Sequence, residues 1–308
     1  MQGTIVSLTL TDGEPVRAGQ EVMVMEAMKM QHAVAAPVSG ILRLITVAAG
    51  DTVFEGHPLA FIEEQEVAGG EIQRQTIDPD LIRPDLKEVE DRRARAMDPA
   101  RPKAVARRRA TGQRTARENI ADVCDPDTFV EFGSLVLAAR RRTTPMEQLI
   151  DESAADGLIM GLAQINGDRF PEEKSRAIVV SYDYTVMAGT QGHMGHHKQD
   201  RMFETAERWR LPVVLFAEGG GGRGSDTDNL VSFSDTFHRL PRLSGLVPLI
   251  GIASGRCFAG NAVLLGCCDV IIATEGSTIG MAGPAMIEGG GLGVYRPEEV
   301  GPMSVQVP

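Results

Sequence analysis

Two stretches of this sequence carry residue types whose spacing suggests chemistry. The first is Glu26-Ala27-Met28-Lys29-Met30, a lysine between two methionines. A long flexible side chain on a protruding turn gives reach with little contact to its own domain, which suits a group that must be carried to a distant site. Turns ordinarily take Asn, Gly or Asp, so two methionines there read as a recognition element for a modifying enzyme. The second stretch is Glu218-Gly219-Gly220-Gly221-Gly222-Arg223-Gly224-Ser225. It follows the apolar run Pro212-Val213-Val214-Leu215-Phe216 and precedes a helix expected from about Thr227 to Arg239, with Asp226 as its cap.

Two nucleotide readings of the glycine loop fail. Gly219, Gly221 and Gly224 fit a Gly-x-Gly-x-x-Gly pattern, but positions 239 to 244 read Arg-Leu-Pro-Arg-Leu-Ser where a ribose-binding acid is needed. A phosphate-binding Walker loop needs a lysine before its Ser, and Gly224 stands there. What remains is an oxyanion hole. Consecutive glycines at a strand end let backbone N–H groups approach a ligand closely, and a helix N-terminus adds its positive dipole. One donor aimed at a developing thioester oxyanion contributes about 2.7–4 kcal/mol in the transition state. The junction Cys257-Phe258-Ala259-Gly260-Asn261-Ala262 aims further amides at the same point.

The elements that position these stretches are legible in outline. Around Lys29 the chain repeats itself without a gap: Gly3 on Gly40, Gly13 on Gly50, Val16 on Val53, Gly19 on Gly56, Val22 on Leu59 and Glu26 on Glu63. A fixed offset reports one structural unit used twice. Each copy reads as short β-branched strands broken by turns, and two such halves can close as a small all-β flattened barrel with Lys29 at the hairpin tip between them. Residues 65–83 read as a linker, with Gly69, Gly70 and Pro79 and no apolar period. From 84 to about 125 the pattern is helical and basic, concentrating Arg92, Arg93, Arg95, Arg101, Lys103, Arg107, Arg108, Arg109, Arg114 and Arg117. Such a cluster either meets a phosphate-rich ligand such as coenzyme A or pairs with acids of the assembly. From Phe129 onward strands alternate with helices, including one expected from His197 to Arg210, which builds an α/β layered domain.

Composition narrows the classes. A net charge of −11 argues against general nucleic-acid binding, and no apolar run approaches the roughly twenty residues of a membrane span. Cys124, Cys257, Cys267 and Cys268 form no Cys-x-x-Cys pair and read as buried free thiols of a cytoplasmic protein. His193, His196 and His197 have metal-ligand spacing, but the only nearby acid is Asp200, and no metal site is expected. Met1 falls where a strand is about to begin and Met303-Ser304-Val305-Gln306-Val307 reads as unfinished, so the sequence reads as a fragment.

Two resemblances follow. Residues 26–30, with the continuation Ala36-Pro37-Val38-Ser39-Gly40, resemble the attachment motif of biotin carboxyl carrier domains. The resemblance implies biotin held covalently on Lys29, with Met28 and Met30 as its recognition flanks. The stretch from Asp156-Gly157 through the glycine loop to Gly260 is similar to the N-terminal half of the carboxyltransferase of acetyl- and propionyl-CoA carboxylases. That family has a crotonase-like (ClpP/crotonase) fold. Its Ser-Gly-Gly-Ala-Arg loop matches Gly219 to Arg223, and its Ala-Gly-Gly-Ala junction matches Ala259 to Ala262, with Gly219 and Asn261 departing from the pattern.

The resemblance implies Gly220, Gly221 and Gly260 as catalytic amide donors, and Gly219, Gly222, Arg223 and Asn261 as acyl-CoA contacts. In the family, carboxybiotin breaks down in the site and the released biotin nitrogen takes the proton of the acyl-CoA α-carbon, so no protein dyad is required. The implied organisation is a biotinyl domain (1–64), a linker (65–83) and a carboxyltransferase N-terminal half (84–308). The implied partners are a biotin carboxylase domain or subunit using ATP, bicarbonate and Mg outside this chain, the carboxyltransferase C-terminal half, biotin protein ligase and further copies in a homo-oligomer. Two alternatives stand beside this reading: a CoA-binding carrier or scaffold without catalysis, and a biotin-dependent acyl-CoA decarboxylase.

Overall fold

The repeat is visible in the backbone. In a computed structural model, which describes residues 2–67, 80–228 and 234–307, the chain divides into two units, Met1–Leu81 and Ile82–Pro308. Most of the linker expected over 65–83 falls on residues 68–79, outside the described residues. The first unit contains β1 (Gly3–Leu8), β2 (Pro15–Val16), β3 (Glu21–Ala27), β4 (Met30–Ala35), β5 (Gly40–Ile45), β6 (Thr52–Val53) and β7 (Ala60–Glu64). They form two sheets, ordered β4-β3-β1-β6 and β2-β5-β7.

The halves exchange strands: β6 of the second pairs with β1 of the first, and β2 of the first pairs with β5 of the second. Bulges fall between Ile5 and Ser7 and, at the same offset, between Leu42 and Leu44. A side chain at Gly3 would overlap the Glu26 carbonyl, and one at Gly40 the Glu63 carbonyl, so both matched glycines are required by one close strand approach. Ile5, Val16, Val22, Met23, Met25, Leu42 and Val53 from both sheets share one core.

In the second unit a six-stranded sheet runs β14-β12-β11-β10-β9-β8. Its strands are β8 (Val130–Glu131), β9 (Leu158–Gln164), β10 (Arg176–Tyr182), β11 (Val213–Phe216), β12 (Leu249–Ala253) and β14 (Val270–Ala273). A separate parallel pair is formed by β13 (Arg256–Phe258) and β15 (Thr278–Gly280). Strands β10, β11, β12 and β14 are parallel, with helices in the crossovers. Strands covered on both faces read as continuous apolar runs, and here alternate residues serve different layers. Ile178, Val180, Tyr182 and Leu215 pack with Phe203, Ala206, Leu240, Leu264 and Leu265 of the crossover helices. Val179, Val214 and Ile159 pack with Ala116, Ile120 and Cys124. The helix bearing Ala116 and Ile120, Ala116–Val123, opens with a capping box between Thr115 and Glu118.

Two expectations need correction. The helix His193–Trp209 starts four residues before the expected His197. The helix after the glycine loop spans Thr236–Arg242 rather than starting at Thr227. Thr227 and Asp228 instead donate their amides to the Ala139 carbonyl, and the Asp226 carboxylate accepts the N–H of His193 at 2.8 Å. Asp226 therefore caps the preceding helix, not the following one. The expected cap of the following helix is not formed, and the helix whose first amide Asp226 binds begins 33 residues earlier in the chain, beyond any local pattern.

Candidate active site

Lys29 sits on a two-residue turn. Ala27 pairs with Met30, and the loop residues Met28 and Lys29 have φ of 53° and 64°. Two left-handed residues in a hairpin turn are normally Asn-Gly, and each non-glycine there costs roughly 1–2 kcal/mol. Met28 is 96% exposed, Met30 and Lys29 are also exposed, so the strain presents all three side chains to solvent rather than to the core. An exposed amine on a rigid tip fits covalent attachment of a prosthetic group.

In the second unit the parallel strands β10, β11 and β12 end on one edge, where open α/β sheets place their ligands. The segments that follow them lock together through backbone bonds. Gly219 donates to Arg256 O at 2.8 Å and accepts from Phe258 N at 2.9 Å; Gln191 N donates to Gly221 O at 2.7 Å. Gly220 N donates to Ala188 O at 3.0 Å, and Gly221 N donates to Asn261 Oδ1 at 2.9 Å. Two of the three amides expected to act as catalytic donors, those of Gly220 and Gly221, thus have intramolecular acceptors. Those acceptors lie 32 and 40 residues away, which is why the loop alone suggested free donors. Gly219 and Gly221 are buried, while Gly220 and Gly222 face solvent.

The neighbouring residues brace the loop. Asn261 is fully buried, with Nδ2 donating to Gly189 O at 3.4 Å. A side chain at Gly260 would overlap Gln191 Oε1, and Gln191 Nε2 donates to the Tyr182 hydroxyl at 2.9 Å. The Arg223 side chain, read from the sequence as a substrate contact, points inward. It pairs with Asp156 and donates to Thr190 O at 2.9 Å and Thr190 Oγ1 at 3.1 Å. The buried Cys257 thiol donates to Ala217 O at 3.1 Å, and burial pushes its pKa up to about 12. Cys124 is buried as expected, but Cys267 and Cys268, also expected to be buried, are only half-buried.

Beside the loop lies a cavity of about 600 Å³ lined by Arg107, Tyr184, Met187, Ala188, Glu218, Gly255 and Arg256, among others. Its Met187-Ala188 wall is left-handed at both residues, with φ of 46° and 54°. Strain of this kind concentrates at functional sites. Sequence reasoning missed this wall because Met and Ala carry no chemical signal. Most of the basic residues expected to meet an anion are paired internally. Arg101 holds Asp183 at 2.9 Å, Arg117 holds Glu131 at 2.9 Å, Arg95 holds Glu147 and Asp151, and Arg108 forms a two-point pair with Glu218 inside the protein. Arg107 is exposed on the cavity wall without an ion pair among the described residues.

The histidines do not converge on a ligand-binding centre. His193 Nε2 and His197 Nε2 are 3.1 Å apart, while His196 Nδ1 faces Thr236 Oγ1 at 3.0 Å, itself bonded to Asp200 at 2.6 Å. Burial holds the His196 imidazole below the usual histidine value. No cluster of three metal-ligating side chains occurs among the described residues.

Comparison with known proteins gives two family matches: carboxyl transferase domain over residues 107–303, and biotin-requiring enzyme over residues 1–62. The beta4 subunit of a biotin-dependent long-chain acyl-coenzyme A carboxylase from Mycobacterium tuberculosis is 34% identical over 180 residues, covering 58% of this chain and 31% of that protein. The propionyl-CoA carboxylase beta chain of Cereibacter sphaeroides is 32% identical over 179 residues, covering 58% and 33%. A solved structure described as a single-chain, multi-domain long-chain acyl-CoA carboxylase is 50% identical, with a TM-score of 0.71, over 99% of this chain and 29% of that one. The chain spans about a third of the length of the relatives it matches.

Proposed function

The chain belongs to the carboxyl transferase family, of the crotonase-like fold, with a biotin-requiring module at its N-terminus, and on that premise we propose that it carries carboxybiotin on Lys29 and contributes the acyl-CoA-binding half of a biotin-dependent acyl-CoA carboxylase. The observation that carries the reading is the cavity at the ends of the parallel strands, walled by the glycine-loop neighbourhood and bearing Arg107 as an exposed cation. A thioester-linked acyl group enters this cavity, and Arg107 meets a phosphate of the CoA moiety. Biotin on Lys29 supplies the transferable carboxyl group. The protein supplies a strained, solvent-facing tip that a ligase can reach, within a first unit whose two sheets close as a flattened barrel.

On this reading the chain works with a biotin carboxylase domain or subunit, the C-terminal half of the carboxyltransferase and biotin protein ligase, as a cytoplasmic homo-oligomer. ATP, bicarbonate and Mg act at the biotin carboxylase. A second reading, CoA binding by a carrier or scaffold without catalysis, is favoured by one observation: the Gly220 and Gly221 amides are already bonded. Catalysis at that point requires the substrate oxygen to displace the Ala188 carbonyl or the Asn261 carboxamide. Reconstitution with the missing partners, ATP, Mg, labelled bicarbonate and a panel of acyl-CoAs separates the two. Biotin-dependent label in acyl-CoA, abolished by Gly220→Val, supports carboxyl transfer; no label in any acyl-CoA rejects it.

A further inference from the structure

A groove of about 330 Å³ lies on the first unit between the β3–β4 hairpin and the segment from Val53 to Leu59. Met25, Val34, Val53 and Leu59 give it an apolar, largely buried lining, and Phe54, 64% exposed, stands beside it with His32 and His57. The internal repeat makes this composition informative. Phe54 and His57 occupy the positions that Arg17 and Gln20 hold in the first half. Gly19 and Gly56 keep matching φ of 83° and 85°, so the turns have the same shape. In the first half Gln20 Oε1 closes its own turn by accepting from Arg17 N at 3.0 Å. The second half carries an aromatic ring and an imidazole instead, beside the hairpin that holds Lys29.

We infer that this groove receives the bicyclic ureido ring carried on Lys29, holding it against the first unit between deliveries. The inference rests on Lys29 being the attachment site. Reach permits it. Met25 pairs with His32, two residue pairs below the Ala27–Met30 pair that opens the turn, or roughly 7 Å at about 3.4 Å per residue. The arm from the Lys29 Cα to the ring spans roughly 13 Å, at about 1.2 Å per bond of extended chain. The chemistry is complementary: the thioether face of the ring packs against Phe54 and the apolar lining, sulfur against aromatic. The ureido N–H and C=O groups find partners at the ring nitrogens of His32 and His57, each of which donates or accepts according to tautomer.

The test compares the full chain before and after ligase-catalysed biotinylation, by intact mass and by nuclear magnetic resonance of Phe54, His32 and His57, with Lys29→Arg as the blank. Biotinylation is expected to shift all three signals. The double variant Phe54→Arg, His57→Gln, which restores the residues of the first half, is expected to abolish the shift at His32 and to speed capture of the biotinyl group by streptavidin several-fold. A modified chain whose shifts stay within residues 27–31, with an unchanged capture rate in the double variant, overturns the docking alone. An unmodified wild-type chain overturns the attachment reading and the docking with it.

Discussion

The ion pair between Arg108 and Glu218 ties the basic helix Pro102–Arg109 to the residue that opens the glycine loop, and breaking it is a sharp test of the energetics. Both side chains are almost fully buried. Arg108 Nη1 donates to Glu218 Oε1 at 2.8 Å, Nη2 bonds the second carboxylate oxygen, and Nε donates to Arg114 O at 2.8 Å. The guanidinium also lies 5.4 Å from the Tyr184 ring centre. Glu218→Leu leaves this charge buried without its counter-ion, a change that costs about 3–5 kcal/mol. For a unit of this size that corresponds to a fall of roughly 6–20 °C in Tm. Trp209, the only tryptophan, lies in the same unit and reports its unfolding in guanidinium chloride. Adding Arg108→Met removes the stranded charge, and the double variant is expected to recover most of the loss, since apolar replacement of a buried pair is often close to neutral. A single-variant loss below about 1 kcal/mol, or a double variant no better than the single, refutes the reasoning.

Three further outcomes follow from the geometry. Gly221→Ala puts a Cβ 2.6 Å from the Ala259 Cβ at a residue with φ of 89°, and is expected to destabilise the second unit by about 2–5 kcal/mol in the same assay. Burial pushes the Lys198 ammonium, which donates to Ala155 O at 3.1 Å and to Leu158 O, down from 10.5 to about 8. Between those values the unfolded chain holds the extra proton, so this site adds stability as pH rises, by about 3 kcal/mol in total, and the penalty is full below pH 8. Lys198→Met is expected to remove that slope from denaturation curves taken at pH 7 to 10.5. Arg107→Ala is expected to weaken CoA binding by roughly tenfold or more, through loss of a charge-assisted contact worth about 1.5–3 kcal/mol, without changing stability; calorimetric titration checks the binding and guanidinium chloride unfolding the stability.

The first unit was legible because its information is local and doubled. Gly3 and Gly40 each permit a close carbonyl approach, Val16 and Val53 each enter the core, and one reading of the offset gives both halves. The layered α/β class of the second unit followed from apolar runs such as Ala177 to Val180, which a sheet covered on both faces buries, but the order of its strands did not. The site was less legible because its decisive contacts are long-range. Nothing near Gly221 in sequence indicates that Asn261 accepts its amide proton, nor that Asp226 serves a helix behind it. Arg108 and Arg107 are adjacent and chemically identical, yet one is locked to a carboxylate 110 residues on while the other faces the cavity. The left-handed Met187-Ala188 wall left no trace in residue type at all.

The central claim, that this chain carries biotin to a carboxyl transfer site, depends first on the amine at the tip of the β3–β4 hairpin. The direct measurement is the intact mass of the chain after co-expression with a biotin protein ligase, beside Lys29→Arg. The account predicts one added biotinyl group on the wild-type chain and none on the variant. An unmodified wild-type chain, or one modified equally in the variant, contradicts it.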